Sequence, residues 1–308
     1  MTYWGILPGG GQFLLGAPAE AVLSYDREAP ADQLKAVFPA DRAWEDLAEV
    51  WVYHGGEGVF RGIVDEQNTR LTASGLWVEL VCRSREALLL DSEAEPRAIR
   101  NPSLERLRRR LLEPLGFGEA TGGQGAMPGE LAVEKGTSCW QVLAGFCRDC
   151  LGTVPYVDFA GRVRCEGREP RTLALGQVLA AEISRRPYKR LSAVWKQGYR
   201  GGYDTLYRDA GAPVARRRYI SAQSGKNPRA VLQKAQQESF LLTVTCQGAW
   251  WPAWGVADVE IPKAGRFTGC PVCRAVYHQD SGGARTRFVL ERGETDVADG
   301  TAGSGAAP

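Results

Sequence analysis

The stretch Glu49–Arg83, EVWVYHGGEGVFRGIVDEQNTRLTASGLWVELVCR, decides the fold class. Its first run, Glu49–His54, alternates along the chain and meets a second run, Gly58–Leu71, across the turn GGEG. Two such runs joined through glycines predict a β-hairpin. Leu76–Arg83, rich in β-branched and aromatic residues, supplies a further strand. Upstream, Gln33–Ala40 alternates apolar and polar positions and closes on Pro39. The β pattern thus runs from Glu20 to Arg83, and four or five short antiparallel strands in about 65 residues predict a small barrel or a strongly curled sheet.

Beyond Arg83 the period changes. Ser84–Ala94 reads as a helical turn leading away from the sheet. Asn101 and Pro102 are the favoured cap and first residue of a helix whose apolar stripe is Leu104, Leu107, Leu111 and Leu115. Gly116–Glu130 carries too many glycines for regular structure and reads as a loop. A second helix is predicted over Ser138–Leu151, then a short hairpin turning at Ala160–Gly161. From about Leu173 the chain returns to β, with RLSAVWKQGY and ARRRYISAQ as strands separated by a polar, glycine-containing turn region. A helix opens at Asn227–Pro228 and runs to about Ser239, and FLLTVTCQG, GVADVEIP, GCPVCRAVYHQ and TRFVLER follow as four strands. The expectation is an α+β, mainly β, chain. It comprises a first β-barrel domain (1–91), an α+β insert (92–172), a second β-barrel domain (173–292) and a disordered tail (293–308) without core-forming content.

Composition is that of a globular protein, with 44% apolar and 24% charged residues in 308. No apolar run is long enough to span a bilayer, so no membrane insertion is expected. The N-terminus lacks the basic region and apolar core of a signal peptide, which places the protein in the cytoplasm where it is made. The formal charge of +2 provides no global field for nucleic acid. The clusters Arg106–Arg110 and Arg216–Arg218 read as solvated faces or subunit contacts. Eight cysteines without an export signal argue for reduced thiols. The pairs Cys147/Cys150 and Cys270/Cys273 have zinc-like internal spacing. The first, however, lies on the buried stripe of the second helix, and the second lies on a strand where an offset of three points to opposite faces.

No catalytic or cofactor set emerges from the residues. His54 falls at a hairpin tip and His278 at a strand end, neither with a Ser-Asp or Cys partner nearby. Ser281 in QDSGGAR is read as a turn residue. Asp65/Glu66 and Glu93/Glu95 are surface-type acid pairs, and Gly9–Gly11 and Gly122–Gly125 lack the Gly-Lys-Ser/Thr of a phosphate loop. The dense run GAWWPAWG places Trp250, Trp251 and Trp254 together. It reads as a protein–protein anchor in preference to a carbohydrate-stacking face, since aromatic residues are enriched in interface cores.

Phe60–Pro96 resembles the signature of the phage late control protein D group, which includes Mu-like tail proteins and baseplate hubs. In that group an F-x-G-x-(V/I)-D strand is followed by a strand ending in (G/C)R(S/D) and a short helix ending in L-x-D. Phe60, Gly62, Asp65, Arg83, Leu90 and Asp91 occupy those positions here. Glu134–Cys165 is similar to the group's helix and hairpin. Gly269–Arg292 is similar to its closing strands, with His278 in the V-x-H position. The short central insert and the CPVC strand depart from the pattern.

The resemblance implies a structural baseplate hub of a phage or phage-like contractile tail, not an enzyme and without a cofactor. It implies a homotrimer whose two barrels per subunit adapt a sixfold tail tube to a threefold central spike. A central channel would serve the tape-measure protein and, transiently, DNA. Further baseplate proteins would be partners, the virion tail baseplate would be its location, and assembly would occur in the bacterial host cytoplasm. Trp250, Trp251, Trp254 and Arg216, Arg217, Arg218 would then lie at contacts. The competing reading, from the tryptophans and acid pairs, is a tail-associated cell-wall hydrolase or carbohydrate-binding tail protein.

Overall fold

Alternation of buried and exposed residues sets the N-terminal strands in place. The computed structural model describes residues 1–123 and 129–293. Seven strands open the chain: β1 (Thr2–Ile6), β2 (Gln12–Leu14), β3 (Glu20–Asp26), β4 (Gln33–Ala40), β5 (Glu49–His54), β6 (Glu57–Thr72) and β7 (Gly75–Ser84). The expected strands over 33–40 and 49–54 fall on β4 and β5, and the glycine turn joins β5 to β6 as anticipated. Strands β1 and β2 were not anticipated: β1 is ordered by antiparallel pairing to the distant β5, with Trp4 opposite Trp51. Pairing is antiparallel throughout this group, in the order β3-β4-β7-β6-β5-β1-β2. Leu34, Ala36 and Phe38 are buried on β4, as are Val78, Leu80 and Cys82 on β7. Each large apolar side chain so enclosed contributes about 1.5–3 kcal/mol. Tyr3 meets Phe38 edge-on at 5.6 Å, and burial together with the neighbouring Tyr277 hydroxyl pushes the Tyr3 phenol up.

The helical insert follows as α1 (Glu86–Asp91), β8 (Arg97–Arg100), α2 (Leu104–Leu107), β9 (Ala120–Thr121), β10 (Glu130–Val133), α3 (Cys139–Phe146), β11 (Tyr156–Val157) and β12 (Val163–Arg164). The expected Asn101–Pro102 cap is corrected. Asn101 sits at φ +44°, its side chain accepts from Gly129 N–H, and Ser103 caps α2 by accepting from Arg106 N–H. Helix α3 begins with a capping box, Ser138 with Gln141, and widens into a π-helical turn over Cys147–Leu151. Its apolar stripe packs into one core with Leu107, Leu111, Phe117 and Val163. Cys139, Cys147 and Cys165 lie inside this core as small hydrophobes.

The remaining elements are β13 (Thr172–Leu175), β14 (Val178–Arg185), β15 (Ala193–Gln197), β16 (Tyr203–Arg208), β17 (Arg217–Ile220), α4 (Pro228–Glu238), β18 (Phe240–Gln247), β19 (Val256–Ile261), β20 (Gly265–Asp280) and β21 (Gly283–Glu291). Asn227 caps α4 as expected, accepting from Arg229 N–H. The supposed turn region between the two arginine-rich strands contains β16, which pairs antiparallel to β15, while β17 pairs parallel to it. Cys270 is buried and Cys273 half-buried on β20.

The chain divides into two compact units. Among the described residues the first holds 1–123, 129–170, 248–254 and 274–286, and the second holds 171–247, 255–273 and 287–293. Strands β20 and β21 contribute residues to each. The architecture is mainly β with a large antiparallel sheet, and its pairings run as open paths among the described residues. Most of the tail expected from 293 lies outside the described residues. No described helix is long and apolar enough to cross a membrane.

Candidate functional site

The residues that carry the resemblance meet at one place in the first unit. Register shifts between Val64 and Glu66 on β6, so Asp65 occupies a bulge, a device that re-aims a side chain. Arg83, on β7, donates to both oxygens of Asp65 at 2.6 and 3.0 Å and to both oxygens of Asp91 at 2.7 and 3.1 Å. This double fork ties the end of α1 to the sheet. Arg83 holds the Asp91 carboxyl below the usual range. Phe60 is buried beside it. Gly62 must lack a side chain, because a Cβ would lie 2.4 Å from Phe60 Cζ and 2.7 Å from the Arg83 carbonyl oxygen. His278 lies apart from this clamp, on β20 opposite Val22 of β3, with Glu20 and Asp280 oxygens at 3.5 and 3.3 Å.

A second constellation, which sequence reasoning missed, fixes the insert to the first sheet. Glu86 is buried at the start of α1 and accepts from Ser84 Oγ at 2.7 Å and from Val157 N–H at 2.8 Å. Ser84 Oγ in turn accepts from Asp32 N–H at 2.9 Å. Phe159, from the β11–β12 hairpin, seats over Gly58, where a Cβ would lie 2.4 Å from its ring, and meets Tyr53 edge-on at 5.1 Å. Arg61 reaches from Glu49, at 2.8 Å, to the Ala160 carbonyl, at 3.4 Å.

Gly58, Arg61, Ser84, Glu86, Val157 and Phe159 line a cavity of about 260 Å³ that also meets Asp32, Arg85 and Arg168. The Arg168 guanidinium stands 4.8, 5.5 and 5.8 Å from the rings of Tyr156, Trp254 and Tyr25. Burial pushes the Asp32 carboxyl up to about 7, against the pull of Arg168 and with the push of Glu86. Burial also raises Glu86. Arg85 donates to Glu49 at 3.3 Å and lies 5.1 Å from the Phe117 ring, while its buried Nε has no hydrogen-bond partner among the described residues.

The cavity presents the Asp32 and Glu86 carboxyls and the Ser84 hydroxyl, which donates to Glu86. Of the acid pairs in the sequence, Asp65 is held by Arg83 and Glu95 by Arg97 at 2.7 Å. His54 ends β5 at the Gly55–Gly56 turn, and Ser281 is in the turn between β20 and β21.

The tryptophan run is corrected in one respect. Trp251 is 7% exposed and donates Nε1–H to the Val59 carbonyl at 3.0 Å, so it anchors its own unit and is not free to anchor a partner. Trp250 and Trp254 are half-buried. Arg216 is drawn inward as well, with Nη1 on the Pro187 carbonyl at 2.9 Å, whereas Arg217 and Arg218 are exposed on β17. The residues the structure adds are Asp32, Glu86 and Arg168. Their only sequence signal was polarity beside apolar strands.

No protein-family model matches the sequence, and no curated protein matches it. Solved structures do share the fold. A tail protein from Neisseria meningitidis MC58 is 18% identical, with 95% of this chain and 97% of that chain covered at a TM-score of 0.68. The 43 kDa tail protein of prophage MuSo2 from Shewanella oneidensis is 16% identical, covering 95% and 98% at 0.73. An Escherichia coli component of the type VI secretion system, described as structurally similar to the T4 bacteriophage tail proteins gp27 and gp5, is 9% identical. It covers 91% of this chain and 74% of its own at 0.53. At these identities the likeness establishes the fold: this chain has, nearly end to end, the fold of phage tail proteins.

Proposed function

We propose that this chain is a structural hub of a phage or phage-like tail baseplate, working as a trimeric ring that adapts a sixfold tube to a threefold spike. The observation that carries the proposal is the end-to-end fold match to tail proteins. The joints within the first unit support it. The Arg83 fork and the hydrogen bonds of Glu86 use charged groups to hold segments together, as a scaffold under mechanical load requires.

In this reading residues 1–91 and 173–292 are two barrel-like β regions around the insert at 92–172, and 293–308 is an extension. Two similar β regions per subunit make three copies pseudo-sixfold, and their exposed strand edges are closed by neighbours. Partners are the tail tube protein, the spike, the tape-measure protein and other baseplate proteins, with DNA passing only through the channel. Trp250 and Trp254 are assigned to contacts; the location is the tail of the particle, assembled in the host cytoplasm. Light scattering on the purified chain, alone and with tube and spike proteins, tests the reading. A trimer is expected, and a strictly monomeric species in both conditions overturns it.

The hydrolase reading retains one observation in its favour, the Asp32 and Glu86 carboxyls in a shared cavity with raised pKa values. Release of muropeptides from peptidoglycan, abolished by Asp32→Asn, would replace the hub reading with that one.

A further inference from the structure

The charge of this chain is unevenly placed. Between Arg185 and Ser239 thirteen Lys and Arg stand against three Asp and Glu, a net charge of +10, while the whole chain carries +2. The segment lies within the second unit. Two of its acids are committed locally. Asp209 is held by Arg190 at 2.6 and 3.0 Å, and Glu238 lies 3.9 Å from Lys189 and 3.8 Å from Lys234. Asp204 accepts from the Thr205 hydroxyl. Among the described residues, Arg200, Arg208, Arg217 and Arg218 have no carboxylate partner and are exposed.

The local fold organises this charge around aromatic rings. Helix α4 covers one face of the β16-β15-β17 sheet, where Val194, Ile220 and Leu232 form a small core. Since side chains alternate along a strand, Trp195 takes the opposite face. Leu206 and Tyr219 pair with Trp195 from the two sides, and Arg208 and Arg217 pair with Ala193 on that same face. Tyr203 meets Tyr219 edge-on with centroids 5.1 Å apart, and the two rings are 41% and 51% exposed. The open face of this sheet therefore presents rings bordered by unneutralised guanidinium groups.

We propose that this face binds single-stranded nucleic acid, with phosphates against Arg208 and Arg217 and bases stacked on Tyr203 and Tyr219. Unpaired arginines alone would serve any polyanion, but exposed rings between them suit bases, since every base has a face to stack and an acidic peptide has none. Phosphate contacts fix the strand and make its binding fall steeply with salt. The inference stands on the charge and geometry of this sheet and does not depend on the hub reading.

Fluorescence anisotropy tests it, using the full chain with a labelled 20-nucleotide oligo-dT, the same strand in a duplex, and labelled polyglutamate. The expected result is saturable binding of the single strand, weaker binding of the duplex, and loss of affinity with rising salt. Tyr219→Ala and Tyr203→Ala should each weaken binding about tenfold at constant charge, and Tyr219→Phe should retain it. Arg208→Gln with Arg217→Gln should lower the affinity and the salt slope together. Polyglutamate bound as tightly as the oligonucleotide would overturn the proposal in favour of an acidic protein partner. Affinity unchanged by both tyrosine substitutions, or no binding of the single strand at low salt, would overturn it outright.

Discussion

Replacing Asp32 by Asn removes a charge from the cavity wall while keeping the shape of the side chain and the backbone N–H that bonds Ser84. The wild-type carboxyl titrates at about 7 in the fold against an ordinary 3.8. Between those values the folded state binds the proton more tightly than the unfolded chain, so stability falls as pH rises from about 4 to about 7. Fully expressed, that difference would cost about 4 kcal/mol at pH 8. The cavity is large enough to hold water and the side chain is half-buried, so roughly half of it, about 2 kcal/mol, is expected to survive. Asp32→Asn should therefore stabilise the protein by about 2 kcal/mol at pH 8 and by no more than about 0.5 kcal/mol at pH 4. Urea unfolding followed by tryptophan fluorescence at the two pH values gives both numbers. An equal effect at both, or none at pH 8, would refute the claim that this carboxyl is held away from solvent by the joint between insert and sheet.

Other substitutions probe the same architecture. Gly62→Ala should cost about 2 kcal/mol or more in chemical denaturation, because its new methyl meets both the Phe60 ring and the Arg83 carbonyl. Arg83→Met should destabilise by about 1–2 kcal/mol at pH 7. Asp91 is held below its ordinary value, so its share of that stability exists above about pH 4 and is lost as pH falls through the lowered value; the gap to wild type should narrow in acid titration. Trp251→Ala should cost about 3–5 kcal/mol and Trp251→Phe about 1–2 kcal/mol, as the indole bond to Val59 is lost. A Trp251→Ala chain of unchanged stability that fails to assemble would instead restore this residue to an interface.

How much was legible from sequence depended on how local the cause was. Strands β4 and β5 and the start of α4 were readable because alternation, a glycine turn and an Asn-Pro cap act within a few residues. Strand β1 was not, because its order comes from pairing with β5 some fifty residues away. Strand β16 was hidden among glycines and charges that read as a turn. The misplaced cap at Asn101 shows two local signals competing: Ser103 caps the helix, and Asn101 satisfies Gly129 from across the insert. The Arg83 fork was visible only as a resemblance between strings, and its physical meaning, a bulge aiming Asp65 at a shared guanidinium, needed the register. Asp32, Glu86 and Arg168 carry no motif at all, since what makes them notable is burial among segments that only the fold brings together. A near-zero total charge likewise concealed the basic segment in the second unit, because a sum over the chain discards position.

The proposed role of this chain as the symmetry adaptor of a tail is tested most directly by an electron-microscopy reconstruction of the particle that contains it. Three copies in a ring where the tube meets the spike are expected. Copies stacked along the tube, a single copy, or density remote from that junction would contradict it.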